Sequence, residues 1–212
     1  MGNSMYIQLT TRCNMQCKHC GFECTAKGED MPMEVFKKAI EWAAEYDDTI
    51  SLGGGEPTIH PQFMEMLGLS ILYANEHIPW LATNGKETKI ALKLAQLAKC
   101  GIISCELSQD PFHEKIDNRV VQAFTIDKQP NYSNYTVNNK DYRGVRNTSA
   151  NLIKAGRCKK GDDYCICEEI FIKPNGDIHQ CGCKNSPKIG NVLTDIPSQI
   201  EMGVCYKNVE RE

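Results

Sequence analysis

The sequence predicts an α/β fold built on a parallel sheet, and three observations point there. Short apolar runs alternate with segments of helical period from Tyr6 to Leu107. The conspicuous polar groups fall directly after those runs, at the end of the strands where α/β proteins build their sites. Beyond residue 157 the alternation gives way to five cysteines within residues 158–183, grouped around a hairpin signal.

Tyr6 to Leu9 is the first expected strand, and it leads into Cys13-Asn14-Met15-Gln16-Cys17-Lys18-His19-Cys20. Cys24 follows shortly and reads as either a stray thiol or a ligand. From Met33 to Tyr46, residues Val35, Phe36, Ala39, Ile40, Ala43 and Ala44 recur at the spacing of an amphipathic helix, with Pro32 suited to its start. Thr49 to Leu52 is a second strand, running into Gly53-Gly54-Gly55-Glu56-Pro57. Pro61 to Asn75 forms a second helix whose Phe63, Met66 and Leu67 read as core. Trp80 to Thr83 is a third strand, ended by the Asn84-Gly85 turn signal. Glu87 to Lys99 is a third helix, stopped at Gly101. Ile102 to Leu107 is a fourth strand, ending in Ser108-Gln109-Asp110. From about Asp127 to Thr148 the chain turns polar and rich in Asn and Tyr, with a fifth strand expected through Tyr135 to Val137. Ile170 to Lys173 and Asp177 to Gln180 then flank Pro174-Asn175-Gly176, the expected hairpin.

Composition narrows the function classes. The 212 residues suit one sizeable domain, or a domain with a small appendage, and 41% hydrophobic content is enough for a core. A net charge of −3 provides no basic nucleic-acid footprint. No apolar run approaches the ~18 residues of a membrane span, and Met1 to Thr10 lacks the features of a secretory signal. Twelve cysteines without a signal point to reduced, metal-binding thiols in the cytoplasm.

Three cysteines at a three-then-two spacing suit soft iron chemistry. A closed structural site usually takes four protein ligands, whereas three leave a metal position open. The rival at this point is a zinc knuckle on Cys17 and Cys20 with Cys24 nearby.

The Cys13, Cys17, Cys20 loop resembles the signature of the radical S-adenosylmethionine (SAM) superfamily. Gly54-Gly55-Glu56-Pro57 resembles that family's Gly-Gly-Glu-Pro motif, and Ser108 with Asp110 its fourth-strand Ser-x-Asp. The resemblance implies an open, partial (β/α) barrel with a small C-terminal cysteine-rich β-hairpin appendage. It implies a [4Fe–4S] cluster on Cys13, Cys17 and Cys20 whose free iron is chelated by SAM, and an enzyme that cleaves SAM reductively to a 5′-deoxyadenosyl radical. Gly54, Gly55, Glu56 and Pro57 would then contact SAM, with Thr83 and Asn84 at the next strand end, and Ser108 and Asp110 beside SAM or substrate. His19 stands where the family often has an aromatic residue near the adenine. Cys105 has two readings: a buried structural thiol, or a hydrogen-atom donor to a substrate radical, as in peptide epimerases of the superfamily.

The later cysteines resemble the SPASM/twitch module. Cys165, Gly176 and Cys181 fit its opening, and Gly190-Asn191-Val192 its continuation. By that resemblance Cys165, Cys167, Cys181 and Cys183 hold a second, auxiliary [4Fe–4S] cluster, with Cys158 or Cys205 as substitutes. A zinc ribbon fits the spacing nearly as well. The expected division is residues 1–157 for the barrel and 158–212 for the auxiliary module, with no leader-recognition domain before the first strand. The implied substrate is a peptide or small metabolite, modified by epimerisation, dehydrogenation or crosslinking, with a flavodoxin or ferredoxin as reductant. A glycyl-radical enzyme activase and a non-catalytic iron–sulfur electron carrier are the alternatives.

Overall fold

A computed structural model describes residues 4–45, 49–74, 77–126, 141–147, 152, 156–159 and 169–200. In chain order the elements are β1 (Ser4–Thr10), α1 (Met33–Glu45), β2 (Thr49–Gly54), a 3₁₀ turn (Pro57–Ile59), α2 (Phe63–Tyr73), β3 (Trp80–Thr83), α3 (Thr88–Lys99) and β4 (Ser104–Ser108). There follow α4 (Asn118–Phe124), β5 (Arg143–Arg146), β6 (Glu169–Ile172), β7 (Asp177–His179) and β8 (Lys188–Asn191). The strands form one open sheet in the order β5-β4-β3-β2-β1-β6-β7-β8. Pairing is parallel from β5 through β1 to β6 and antiparallel from β6 to β8.

Alternation along the strands sorts side chains onto two faces. Met5, Ile7, Leu9, Ile50, Leu52, Leu81 and Leu107 are fully buried in one core with the apolar faces of α1, α2 and α3. Each such side chain removed from water contributes about 1.5–3 kcal/mol. α1 supplies Val35, Phe36, Ala39, Ile40 and Ala43 to that core, as its spacing predicts, with Trp42 buried in addition and Ala44 only half-buried. α3 buries Ala91, Leu94, Ala95 and Ala98, with Ile90, Leu92 and Leu97 partly buried against the same core. It ends in a Schellman pair: Gly101 N–H donates to Ala98 O and Ile102 N–H to Leu97 O, both at 3.1 Å, with Gly101 at φ +73°.

The expected helix from Pro61 begins two residues later, because the His60 ring caps the turn instead. Its Nδ1 accepts from Gln62 N–H at 3.1 Å, and its Nε2 lies 3.0 Å from Met31 O. α4 carries its own start signal, Asp117, whose side chain accepts from Arg119 N–H at 2.9 Å. The expected strand at Tyr135 to Val137 lies outside the described residues. The hairpin after Glu169 forms as expected, but it continues the main sheet: β6 pairs with β1, Ser4 opposite Glu169 and Tyr6 opposite Phe171. No described helix is long and apolar enough to cross a membrane.

Candidate functional site

The cysteine loop leaves the end of β1 and is pinned before its first thiol. Arg12 forms a two-point ion pair with Asp30, Nε to Oδ1 at 2.9 Å and Nη2 to Oδ2 at 2.7 Å, and Nη2 also reaches Ile59 O at 3.2 Å. Burial pushes the Asp30 carboxyl up, but the hydrogen bonds from Arg12 and Thr10 outweigh it and hold the group below its usual range. Cys13 N–H donates to Thr25 O at 2.7 Å. The Cys13 sulfur accepts from Met15 N–H at 3.4 Å and from the Asn84 amide at 3.8 Å. From the far side Arg157 clamps the loop: its N–H donates to Cys20 O at 3.0 Å and its Nε to Cys17 O at 3.2 Å.

The three thiols line one cavity of ≈ 730 Å³, together with Gly53 to Pro57, Thr83, Asn84 and Ser108. Among the described residues, His19, Asp110 and His113 are the three whose ligand atoms fall within 4.8 Å of one another; no three of the described thiols do. The N–H donors aimed at Cys13 and the adjoining cavity fit a cluster with one exposed face.

Without metal the thiols differ. A hydrogen bond from the Cys24 thiol, helped by the Cys24 and Phe22 N–H groups, lowers Cys20 to about 5 despite burial. Burial and the neighbouring thiols raise Cys17 to about 11, and burial raises Cys13. Cys24 itself is buried and keeps its proton. It therefore acts as a donor to Cys20.

The glycine cluster owes its composition to close packing against this loop. Gly54 sits at φ +143°, and a Cβ on Gly55 would overlap the Arg12 carbonyl and lie 3.0 Å from Cys13 Cβ. Gly55 N–H and Glu56 N–H donate to Thr10 O and Arg12 O, both at 2.9 Å, tying β2 to the loop. The Glu56 carboxylate turns inward. Its Oε1 accepts from Thr58 Oγ1 at 2.6 Å, Thr58 N–H at 3.2 Å and Thr83 Oγ1 at 2.8 Å, and its Oε2 from Asn84 N–H at 2.7 Å. It borders the cavity while joining the ends of β2 and β3, and burial raises its pKa against those bonds.

Ser108 and His19 reach the cavity. Asp110 does not border it: its side chain is 0% exposed, with Oδ1 2.9 Å from His113 Nδ1 and Oδ2 3.5 Å from His19 Nε2. Asp110 thus stands behind His19, whose ring packs on Phe112 at 4.9 Å. Cys105 alternates onto the helix-facing side of β4, is 0% exposed within the core and does not border the cavity, which favours the structural thiol over the hydrogen donor. Burial pushes its thiol far up. Of the later cysteines, Cys181 is buried and Cys183 borders the same cavity; Cys165, Cys167 and Cys205 lie outside the described residues.

The opposite wall went unread in the sequence. Tyr6 stacks on Phe171 with centroids 5.0 Å apart, and its hydroxyl accepts from Gly54 N–H at 2.8 Å. Glu169 Oε1 accepts from Ser51 Oγ at 2.8 Å and Ser4 Oγ at 3.1 Å. Arg146 lies 5.7 Å over the Trp80 ring. The phase of β1 held the clue: with Met5, Ile7 and Leu9 inward to the core, Tyr6 must face the other way.

Residues 7–132 match the Radical SAM superfamily. The chain is similar to the tungsten-containing aldehyde ferredoxin oxidoreductase cofactor-modifying protein of Pyrococcus furiosus, 37% identical over 67 residues, covering 30% of this chain and 19% of that protein. It is also similar to the mitochondrial GTP 3′,8-cyclase of Arabidopsis thaliana, 34% identical over 110 residues, covering 49% of this chain and 27% of that protein. The chain thus spans about a quarter or less of these relatives. Among solved structures, BtrN in complex with AdoMet and 2-DOIA superposes with TM-score 0.64 at 15% identity, covering 91% of this chain and 79% of that one. The enzyme anSMEcpe with bound AdoMet and Cp18Cys peptide superposes with TM-score 0.58 at 14% identity, covering 92% and 79%. At such identities these likenesses speak for the fold alone, an open α/β sheet of the same kind. With a match across more than half its length, the chain belongs to the radical SAM superfamily, a family of iron–sulfur, SAM-dependent enzymes.

Proposed function

We propose that Cys13, Cys17 and Cys20 hold a [4Fe–4S] cluster that binds SAM, and that the chain abstracts hydrogen from a peptide or small-metabolite substrate. One observation carries the reading: the three thiols share a cavity with the Gly53 to Pro57 turn and Ser108. When bound, the cluster and SAM supply an electron and a 5′-deoxyadenosyl radical. The chain's own residues do the rest. Arg157 holds the loop carbonyls, and the Asn84 amide and Met15 N–H donate to Cys13. Gly54 and Gly55 let the second strand close on the loop, with Glu56 fixing the Thr83–Asn84 turn and Pro57 opening the 3₁₀ turn beside it. Ser108 and His19 border the space where SAM would lie, while Tyr6, Trp80, Arg146, Glu169 and Phe171 form the wall a substrate would meet.

Such a wall combines flat apolar faces with both signs of charge, which suits a zwitterionic metabolite or a peptide segment better than a purely apolar ligand. Residues 158–212 are proposed to work as a twitch-like part holding a second [4Fe–4S] centre, with ligands from Cys165, Cys167, Cys181 and Cys183. A flavodoxin or ferredoxin is the expected class of reductant.

The test uses protein reconstituted anaerobically with iron and sulfide. About eight irons per chain and 5′-deoxyadenosine formed from SAM with dithionite are expected, with Cys17→Ala abolishing the product. An intact, reducible cluster that neither binds nor cleaves SAM would overturn the reading in favour of an electron carrier.

A further inference from the structure

His179 closes β7 with its ring buried. Its Nδ1 lies 2.9 Å from the Ser186 carbonyl oxygen. A carbonyl only accepts, so Nδ1 carries the proton and Nε2 of the neutral ring presents a lone pair. That Nε2 is buried and meets no hydrogen-bond partner among the described residues. An imidazole oriented by a backbone carbonyl, with its other nitrogen bare, is the arrangement of a metal-ligating histidine. A buried acceptor left without a donor is otherwise a loss of stability.

Thiols stand close by in the chain. Buried Cys181 is two residues on and Cys183, at the cavity, is four on. Ser186 folds this stretch into one unit: its N–H donates to Cys183 O at 3.0 Å and its Oγ accepts from Cys181 N–H at 3.3 Å. Gly182, between the two cysteines, faces the Phe171 ring, and Phe171 is the cross-strand partner of His179.

We propose that His179 Nε2 is a nitrogen ligand to iron in a cluster held beside it by Cys181. The proposal rests on the second-centre reading above, and the test separates the two. In a full-length chain carrying Cys13→Ala, Cys17→Ala and Cys20→Ala, only the second centre remains to bind iron. After anaerobic reconstitution and dithionite reduction, pulsed paramagnetic resonance should show ¹⁴N coupling that changes on ¹⁵N-histidine labelling. His179→Ala should lose iron severalfold while keeping the circular dichroism of its parent. His179→Cys, which restores a ligand without an imidazole, should regain the iron without the nitrogen coupling. Iron retained in His179→Ala, or no nitrogen coupling in its parent, overturns the histidine ligand and leaves the second centre standing. Zinc in place of iron, or no metal in the parent, overturns both.

Discussion

Replacing Glu56 with alanine tests whether this glutamate holds the fold together before it serves any cofactor. The carboxylate accepts four hydrogen bonds, two from backbone N–H groups of Thr58 and Asn84 and two from hydroxyls of Thr58 and Thr83. The hydroxyls can turn to other acceptors, but the two N–H groups cannot, and each buried donor left unpaired costs about 1–3 kcal/mol. Water entering from the adjoining cavity recovers part of that, and so does relief of the burial that raises the Glu56 pKa. A net loss of about 2–4 kcal/mol follows, or roughly 4–16 °C in melting temperature for a domain of this size. The measurement is urea unfolding of the metal-free protein, where no SAM effect can intrude. Glu56→Gln should lose about half as much, since its amide can still serve one side of the bridge. Because the folded pKa lies above the unfolded one, the native state holds the proton more readily, and the group's contribution falls as pH rises from the usual glutamate value through the raised one. Glu56→Gln should flatten that slope. A loss below about 0.5 kcal/mol for Glu56→Ala would refute the inward-facing bridge.

Two further outcomes follow from the thiols. In metal-free protein, iodoacetamide labelling followed by mass spectrometry should find Cys20 reacting with a midpoint near pH 5, with Cys17, at about 11, silent at neutral pH. Cys24→Ala removes the largest cause of the Cys20 shift and should move that midpoint up toward about 8.5; Cys17 labelling first would contradict the arrangement. Cys105→Ala should destabilise by about 1–2 kcal/mol while deoxyadenosine formation and the substrate product stay within about twofold of the parent. Loss of product at unchanged stability would restore the hydrogen-donor role.

The helices and inner strands were legible because each has one buried face and one period. α1 starts at Met33 as its apolar spacing requires, and β3 spans the expected Trp80 to Thr83. β5 was not, since Arg143–Arg146 is a half-exposed strand with no alternating apolar residues to signal it. The site divided along the same line. Cys13, Cys17 and Cys20 announce themselves by spacing. Arg157 and Glu169 reach the site through contacts 140 to 165 residues away, which no local pattern encodes. Glu56 and Asp110 show a further limit: residue type and strand-end position put both near the site, but only the partners reveal that Glu56 bridges two strand ends and that Asp110 lies against His113 and His19.

The place of β1 between β2 and β6 has a bearing on synthesis. β6 is encoded some 165 residues after β1, as the Ser4–Glu169 bond marks. At ribosomal rates of about 5–20 residues per second, one edge of β1 therefore waits roughly 10–30 s for its partner. During that interval its apolar strand is open to misdirected pairing, and the thiols of Cys13, Cys17 and Cys20 are not yet walled in by Arg157. The same delay is a window of access. An iron–sulfur donor meeting the nascent chain would find the loop uncovered, whereas one meeting the finished fold would have to work through the cavity mouth.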